Sequence, residues 1–141
     1  MKRSKIRLIL GSLAATAVLS FAVVALANNP HFTNNISWDG STASGKVAGL
    51  GNDQDAGVKL TVTVSYDCLN PAGKKVEPHS DVTSAFSPID TADRNGSYDF
   101  SVTANVGTGG CPNRKWTQVN LTRTALLELV VGGQTVDTRN F

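Results

Sequence analysis

The chain has 141 residues, with 13 lysines and arginines against 11 aspartates and glutamates, which gives a formal net charge of +2. Four of the basic residues lie in the first seven positions, so the rest of the chain carries nine basic and eleven acidic residues, a balance of −2. This distribution argues against a basic protein that binds nucleic acid.

Residues 1–27 have the pattern of a signal peptide. A basic start is followed by an uncharged, mostly apolar stretch from residue 8 to residue 26, and Ala25-Leu26-Ala27 offers the small residues that signal peptidase accepts. We predict cleavage after Ala27, which leaves one domain of residues 28–141 in a secreted protein. The alternative is an uncleaved leader that tethers the protein to the membrane, since about 19 apolar residues can span a bilayer.

Four segments are weaker strand candidates than the alternating segments described below, and the first two lie at the beginning of the exported part. These are residues 32–38, 46–50, 82–86 and 117–121. Clusters of Asn, Asp, Gly and Pro separate them, and no segment shows a helical period.

Two segments alternate strictly between apolar and polar residues, which is typical of strands with one buried face. In the first, even positions from Val58 to Tyr66 are apolar and lead into Cys68; in the second, even positions from Tyr98 to Val106 are apolar. We predict two half-buried strands, with Cys68 on the buried face.

A third alternating segment, residues 127–131, ends at Gly132-Gly133 and is followed by Thr135 to Asp137. A type I′ turn needs a positive φ at both central residues, which glycine adopts freely. The sequence therefore predicts a two-residue β-hairpin.

Seven or eight short antiparallel strands over about 110 residues predict an all-β, immunoglobulin-like sandwich of two sheets. The order of cysteines and aromatic residues differs from that of antibody domains, because Tyr66 precedes the first cysteine and Trp116 follows the second.

Cys68 and Cys111 are the two cysteines of the chain. An even number in an exported protein favours one disulfide, and closing the 43-position loop between them would contribute on the order of 4 kcal/mol. Since a paired sulfur has no thiolate, we do not expect a cysteine nucleophile.

The sequence gives little support for catalysis. It has two histidines, His31 and His79, and lacks the nucleophile-elbow, zinc-protease, phosphate-loop and dinucleotide motifs. Residues 78–81 combine the residue types of a catalytic triad, but sequence neighbours seldom face one another, so we interpret the segment as a solvated loop. The acidic loops at residues 52–55 and 90–99 lack the spacing of a calcium loop. We therefore predict a non-enzymatic protein without a metal or cofactor.

A candidate contact surface combines basic residues that follow the two cysteines with two tryptophans. Its members are Lys74, Lys75, Arg114, Lys115, Trp116 and Trp38. The disulfide would bring the basic residues together into a patch for an acidic or sugar-bearing partner, although solvated loop charges are the simpler interpretation. An exposed tryptophan would mark a binding face, since a sandwich usually buries only one.

Four short motifs carry a resemblance to a known group of proteins. They are Asn29-Pro30-His31-Phe32, Val47-Ala48-Gly49-Leu50-Gly51, Tyr66-Asp67-Cys68-Leu69-Asn70-Pro71-Ala72-Gly73-Lys74 and Cys111-Pro112. In these motifs the chain resembles a group of small exported bacterial proteins of unknown function. The resemblance implies a secreted, disulfide-bonded β-sandwich and assigns no activity.

The leading hypothesis is a secreted, non-enzymatic β-sandwich that acts through surface contacts, with an unknown envelope protein or with itself. Its exposed edge strands could add a partner strand. The alternative from another class is a carbohydrate- or ligand-binding module in which Trp38 or Trp116 is a stacking platform. A hydrolase or metal-dependent enzyme is the third hypothesis.

Overall fold

A computed structural model of the chain describes residues 29–51, 55–90 and 95–141. The predicted signal peptide lies outside these residues, as do parts of the two acidic loops. The described residues form eight strands: β1 His31–Phe32, β2 Ser37–Trp38, β3 Thr42–Ala48, β4 Ala56–Leu69, β5 Lys75–Ile89, β6 Tyr98–Thr103, β7 Thr117–Val131 and β8 Gln134–Asn140. The predicted all-β class is confirmed.

The strands form two antiparallel sheets. In the small sheet, β3 pairs with β6 along one edge and with β1 and then β2 along the other, since Val47 pairs with both Phe32 and Tyr98. The large sheet has the order β5-β4-β7-β8. The two-sheet architecture is therefore confirmed, while the immunoglobulin-like topology stays a prediction.

Buried side chains from both sheets form a single hydrophobic core. The large sheet contributes the alternating residues of β4, from Val58 to Val64, together with Leu127 and Leu129 of β7, all at most 1% exposed. The small sheet contributes Phe32, whose ring centroid lies 5.6 Å from that of Phe100. Burial of each such side chain stabilises the fold by roughly 1.5–3 kcal/mol.

The predicted strand at residues 32–38 is two short strands in the structure. Residues between β1 and β2 pack against Gly45 of β3, where a Cβ would lie 2.9 Å from the carbonyl oxygen of Asn35. Strand β1 pairs with residues 47–48 of β3 and β2 pairs with residues 43–44, so the residues between β1 and β2 lie beside Gly45. The prediction for residues 46–50 falls partly within β3, which begins earlier, at Thr42.

The hairpin at Gly132-Gly133 is confirmed. The two glycines have φ values of 57° and 77°, and Val131 pairs with Gln134 across the turn. Residues 117–121 and 127–131, predicted as separate strands, are the two ends of the continuous strand β7.

The interpretation of residues 78–81 as a loop is wrong. They lie inside β5 and pair with residues 64–67 of β4, so the backbone of β4 holds this polar segment extended.

The disulfide between Cys68 and Cys111 is confirmed, with a Cα–Cα distance of 5.8 Å. It fastens the loop between β6 and β7 to the end of β4. The hydroxyl of Tyr66 donates to the carbonyl of Gly110 at 3.2 Å, and the side-chain amide of Gln118 donates to the carbonyl of Thr108 at 3.0 Å. A disulfide is consistent with an extracytoplasmic location.

Across the three described ranges, no helix has the length and apolar character to cross a membrane.

Candidate functional site

The two candidate tryptophans both lie half-buried against the core. Trp38 of β2 packs beside Phe141, with 5.7 Å between ring centroids, and its Nε1 is buried with no hydrogen-bond partner among the described residues. Trp116 lies just before β7, where its backbone N–H donates to the carbonyl of Asn113. Neither ring stands free as a stacking platform.

The candidate basic residues occupy different surroundings. Lys74, Arg114 and Lys115 are exposed loop residues, on the β4–β5 turn and in the loop before β7. Lys75, the first residue of β5, has its Nζ 2.8 Å from Oδ2 of Asp67. One of the four therefore has a structural partner, and three carry solvated charge.

Asp67 fastens the beginning of β5 to the neighbouring strands. Its Oδ2 forms the ion pair with Lys75 and also accepts a hydrogen bond of 2.9 Å from the side-chain amide of Asn120. Asn120 lies at a bulge in β7, where the register with β4 shifts, and has a positive φ of 55°. These partners lower the pKa of Asp67 below its ordinary value of 3.8, with the Asn120 hydrogen bond the larger cause.

A groove of about 420 Å³ lies at this bulge, lined by Ser65, Tyr66, Asp67, Pro78, His79, Ser80, Asn120 and Thr122. Its hydroxyl and amide groups are suited to polar contacts. The bonded carboxylate oxygen of Asp67 already serves Lys75 and Asn120, so this part of the groove anchors β5.

The strand conformation separates the triad-like residues. His79 pairs with Tyr66 and stacks on its ring, with 5.4 Å between centroids, and Asp81 accepts a 3.3 Å hydrogen bond from the hydroxyl of Tyr66. Ser80 lies between them in the strand, so its side chain points to the opposite face of the sheet. In the described residues, no group of three His, Cys, Asp or Glu side chains is placed to hold a metal ion.

The strand β5 is one edge of the large sheet and pairs with β4 alone among the described strands. Two of its apolar side chains, Val82 and Phe86, are 63% and 57% exposed, the largest values among the large hydrophobic residues of the described part. They pair with Thr63 and Lys59 of β4, so both lie on the outer face of the sheet, away from the core. We call residues 79–87 the β5 edge.

The ring of Phe86 occupies space above Gly57, which has no side chain. A Cβ at Gly57 would overlap the ring of Phe86, so only glycine fits beneath it. The ring thus rests on the β4 backbone and remains largely exposed on its other side. An exposed aromatic ring in a fixed position is suited to contact with another protein.

The β5 edge is flanked by prolines and carries little charge. Pro78 and Pro88 bracket it, and Asp81 is its only residue of the Lys, Arg, Asp and Glu types. Natural sheets usually protect a long edge with charges, prolines, bulges or a covering segment. Between its two prolines this edge carries one charged residue and has backbone groups that are not paired with β4.

Sequence reasoning included Val82 and Phe86 in a strand but missed them as contact residues. The available signal was Gly57, since a glycine inside an otherwise alternating strand often marks the close approach of another group.

No family model and no curated protein matches this chain. The similar solved structures include a beta-glucuronidase of Bacteroides uniformis, with a TM-score of 0.29 and 10% identity. They also include beta-glucuronidase 2 of that organism covalently bound to cyclophellitol-6-carboxylate aziridine (TM-score 0.24, 11% identity) and its calcium-binding mutant (0.27, 16%). Each similarity covers 79% of this chain but 14% of the enzyme chain, and at these TM-scores it supports no statement about activity.

Proposed function

We propose that this protein is secreted and acts without catalysis, through contact between the β5 edge and an extended strand of a partner protein. The observation that carries the proposal is the exposure of Val82 and Phe86 on a long edge strand that pairs on one side only. In strand addition, backbone hydrogen bonds supply affinity and alternate side chains supply specificity.

Export is supported by two independent features. The first 27 residues have the charge and hydrophobicity pattern of a signal peptide, and the protein contains a disulfide, which persists in oxidising compartments. The balance of −2 after the leader supports a protein partner over nucleic acid.

The alternative, a carbohydrate-binding module built on tryptophan, has less support. Trp38 and Trp116 pack against the core, which leaves each ring partly covered. The exposed aromatic ring of the β5 edge belongs instead to a strand that is able to pair.

The contact proposal is tested by placing a photo-cross-linking phenylalanine analogue at Phe86 in the exporting cell. The matched control carries the analogue at Thr138, an exposed residue on the outer face of β8 at the opposite edge of the same sheet. We expect light-dependent protein adducts from position 86 and few from position 138. Absence of adducts at position 86, or equal labelling at both positions, would overturn the proposal.

A further inference from the structure

The β5 edge is complementary to itself, and we propose that its partner is a second copy of this chain. The inference rests on the function proposed above, because it names the partner of the same edge. Two β5 strands pair antiparallel about a two-fold axis at Ser84 and join two four-stranded sheets into one continuous sheet.

The prolines show which backbone groups face outward. Pro78 and Pro88 both pair with residues of β4, yet proline has no N–H to donate, so it is tolerated in a ladder where that position points to the free edge. Backbone groups alternate in direction along a strand of an antiparallel pair. The even-numbered residues between the prolines, which are Ser80, Val82, Ser84 and Phe86, therefore direct their N–H and C=O groups away from β4.

The spacing of the exposed apolar residues selects the register. Val82 and Phe86 lie at equal distances on either side of Ser84, so an axis at Ser84 places Val82 of each copy opposite Phe86 of the other. Both pairs lie on the outer face, where cross-strand pairs of aromatic and β-branched residues are favourable. An axis at Thr83 would instead place Val82 opposite Ser84 and leave both apolar residues without an apolar partner.

The same register avoids a clash of charge and places the prolines at the ends. Asp81 falls opposite Ser87 of the other copy, so no like charges face each other across the new ladder. Pro88 falls opposite Ser80, where the outward-facing segment ends. The central pairs, Ser84 with Ser84 and Val82 with Phe86, retain all their backbone donors.

A two-fold pairing of this kind also closes the assembly. It uses the β5 edge of both copies, and the opposite edge of each large sheet is bonded to β1 through Asp137 and Arg139. The contact is isologous, which gives a discrete dimer instead of a growing filament.

The register is tested with single cysteines on the full exported chain. With an axis at Ser84, the two Ser84 Cα atoms lie about 5.5 Å apart, whereas the two Ser80 Cα atoms lie about 27 Å apart. We expect Ser84→Cys to form a covalent dimer with a short bismaleimide and Ser80→Cys, its control on the same strand and face, to remain monomeric. Equal cross-linking of both variants, or of neither, would overturn the register and with it the proposal.

The affinity is tested by sedimentation velocity over a range of protein concentrations. The wild-type chain is expected to sediment as a concentration-dependent dimer. Phe86→Lys should raise the dissociation constant at least about tenfold, since it replaces the aromatic member of both Val82–Phe86 pairs with a charged side chain. Thr138→Lys adds the same charge at the other edge and should leave the dimer unchanged, and an unchanged far-UV circular dichroism spectrum confirms that each variant is folded.

The two proposals fail in different ways. A wild-type chain that is monomeric at all concentrations, but gives adducts with another protein from position 86, overturns the dimer and supports the proposed contact function. A monomeric chain with no adducts from position 86 overturns both.

Discussion

The two edge strands of the large sheet, β5 and β8, differ in their contacts with the small sheet. At the β8 edge, the backbone N–H of Phe32 donates to Oδ2 of Asp137 at 2.8 Å, and Arg139 donates to the carbonyl oxygen of Phe32 at 3.2 Å. The guanidinium of Arg139 also lies 5.8 Å from the centre of the Phe32 ring. A segment of the small sheet thus covers this edge with charged hydrogen bonds.

Strand β5 adjoins β6 of the small sheet, and it pairs in a ladder with β4 alone among the described strands. It is longer than β8, has one charged residue between its two prolines and displays Val82 and Phe86 to solvent. Natural proteins usually protect exposed edges because they template pairing with other chains. In the same sheet, therefore, one edge is hydrogen-bonded to the small sheet and the other is a long strand with exposed apolar side chains.

The largest expected difference is between two phenylalanines, one at each edge. Phe32 is 1% exposed and packs on Phe100, so Phe32→Ala should lower the free energy of unfolding by about 3–5 kcal/mol. Phe86→Ala removes a side chain that is 57% exposed, and the loss should stay below about 1 kcal/mol. Urea unfolding of both variants measures the difference, and Phe32→Leu provides a milder version if Phe32→Ala does not fold. Equal losses of stability would contradict the difference between the hydrogen-bonded β8 edge and the exposed β5 edge.

A smaller effect is expected when the bonds that cover the β8 edge are removed. Asp137→Ala leaves the N–H of Phe32 without its acceptor and breaks the 2.9 Å ion pair with Arg139, which should cost about 1–3 kcal/mol in the free energy of unfolding. The control is Asp99→Ala, because Asp99 is exposed and its contact with Lys46 is 3.7 Å long, so about 0–1 kcal/mol is expected. If the two losses were equal in chemical denaturation, Asp137 would not fasten the two sheets together.

The smallest effect concerns the start of β5 and depends on pH. Because Asn120 and Lys75 lower the pKa of Asp67 in the folded state, the Asp67 carboxylate stabilises the fold above about pH 4, and this contribution is lost as the pH falls through the lowered pKa. Wild type should therefore lose more stability between pH 7 and pH 3 than Asp67→Asn, which cannot titrate. Asn120→Ala removes the larger cause of the lowered Asp67 pKa and should also reduce the pH dependence of the free energy of unfolding. Urea midpoints at the two pH values would test this, and identical shifts in all three proteins would argue against the role of Asp67.

The fold could be predicted where one face of a strand is buried. The alternation of β4 and of the end of β7 reports the core directly, because only one face of each strand meets the other sheet. The hairpin followed from the conformational needs of its turn, and the disulfide from an even number of cysteines in an exported chain.

Strand β5 was harder to predict because its first half is exposed on both faces and carries no apolar alternation. Its extended conformation comes from pairing with β4, which is a tertiary effect that a local pattern does not contain. The bond between Phe32 and Asp137 joins residues 105 positions apart, so sequence reasoning had no local signal for the covered edge.

The two sulfurs of the disulfide differ in access to solvent, since Cys68 is 0% exposed whereas Cys111 is only partly buried. Cys111 is therefore the more accessible side for an external thiolate, whose attack there would form a mixed disulfide and release Cys68 as the leaving thiolate. Because burial disfavours the charged thiolate, Cys68 is a poor leaving group, and small reductants should cleave this crosslink slowly.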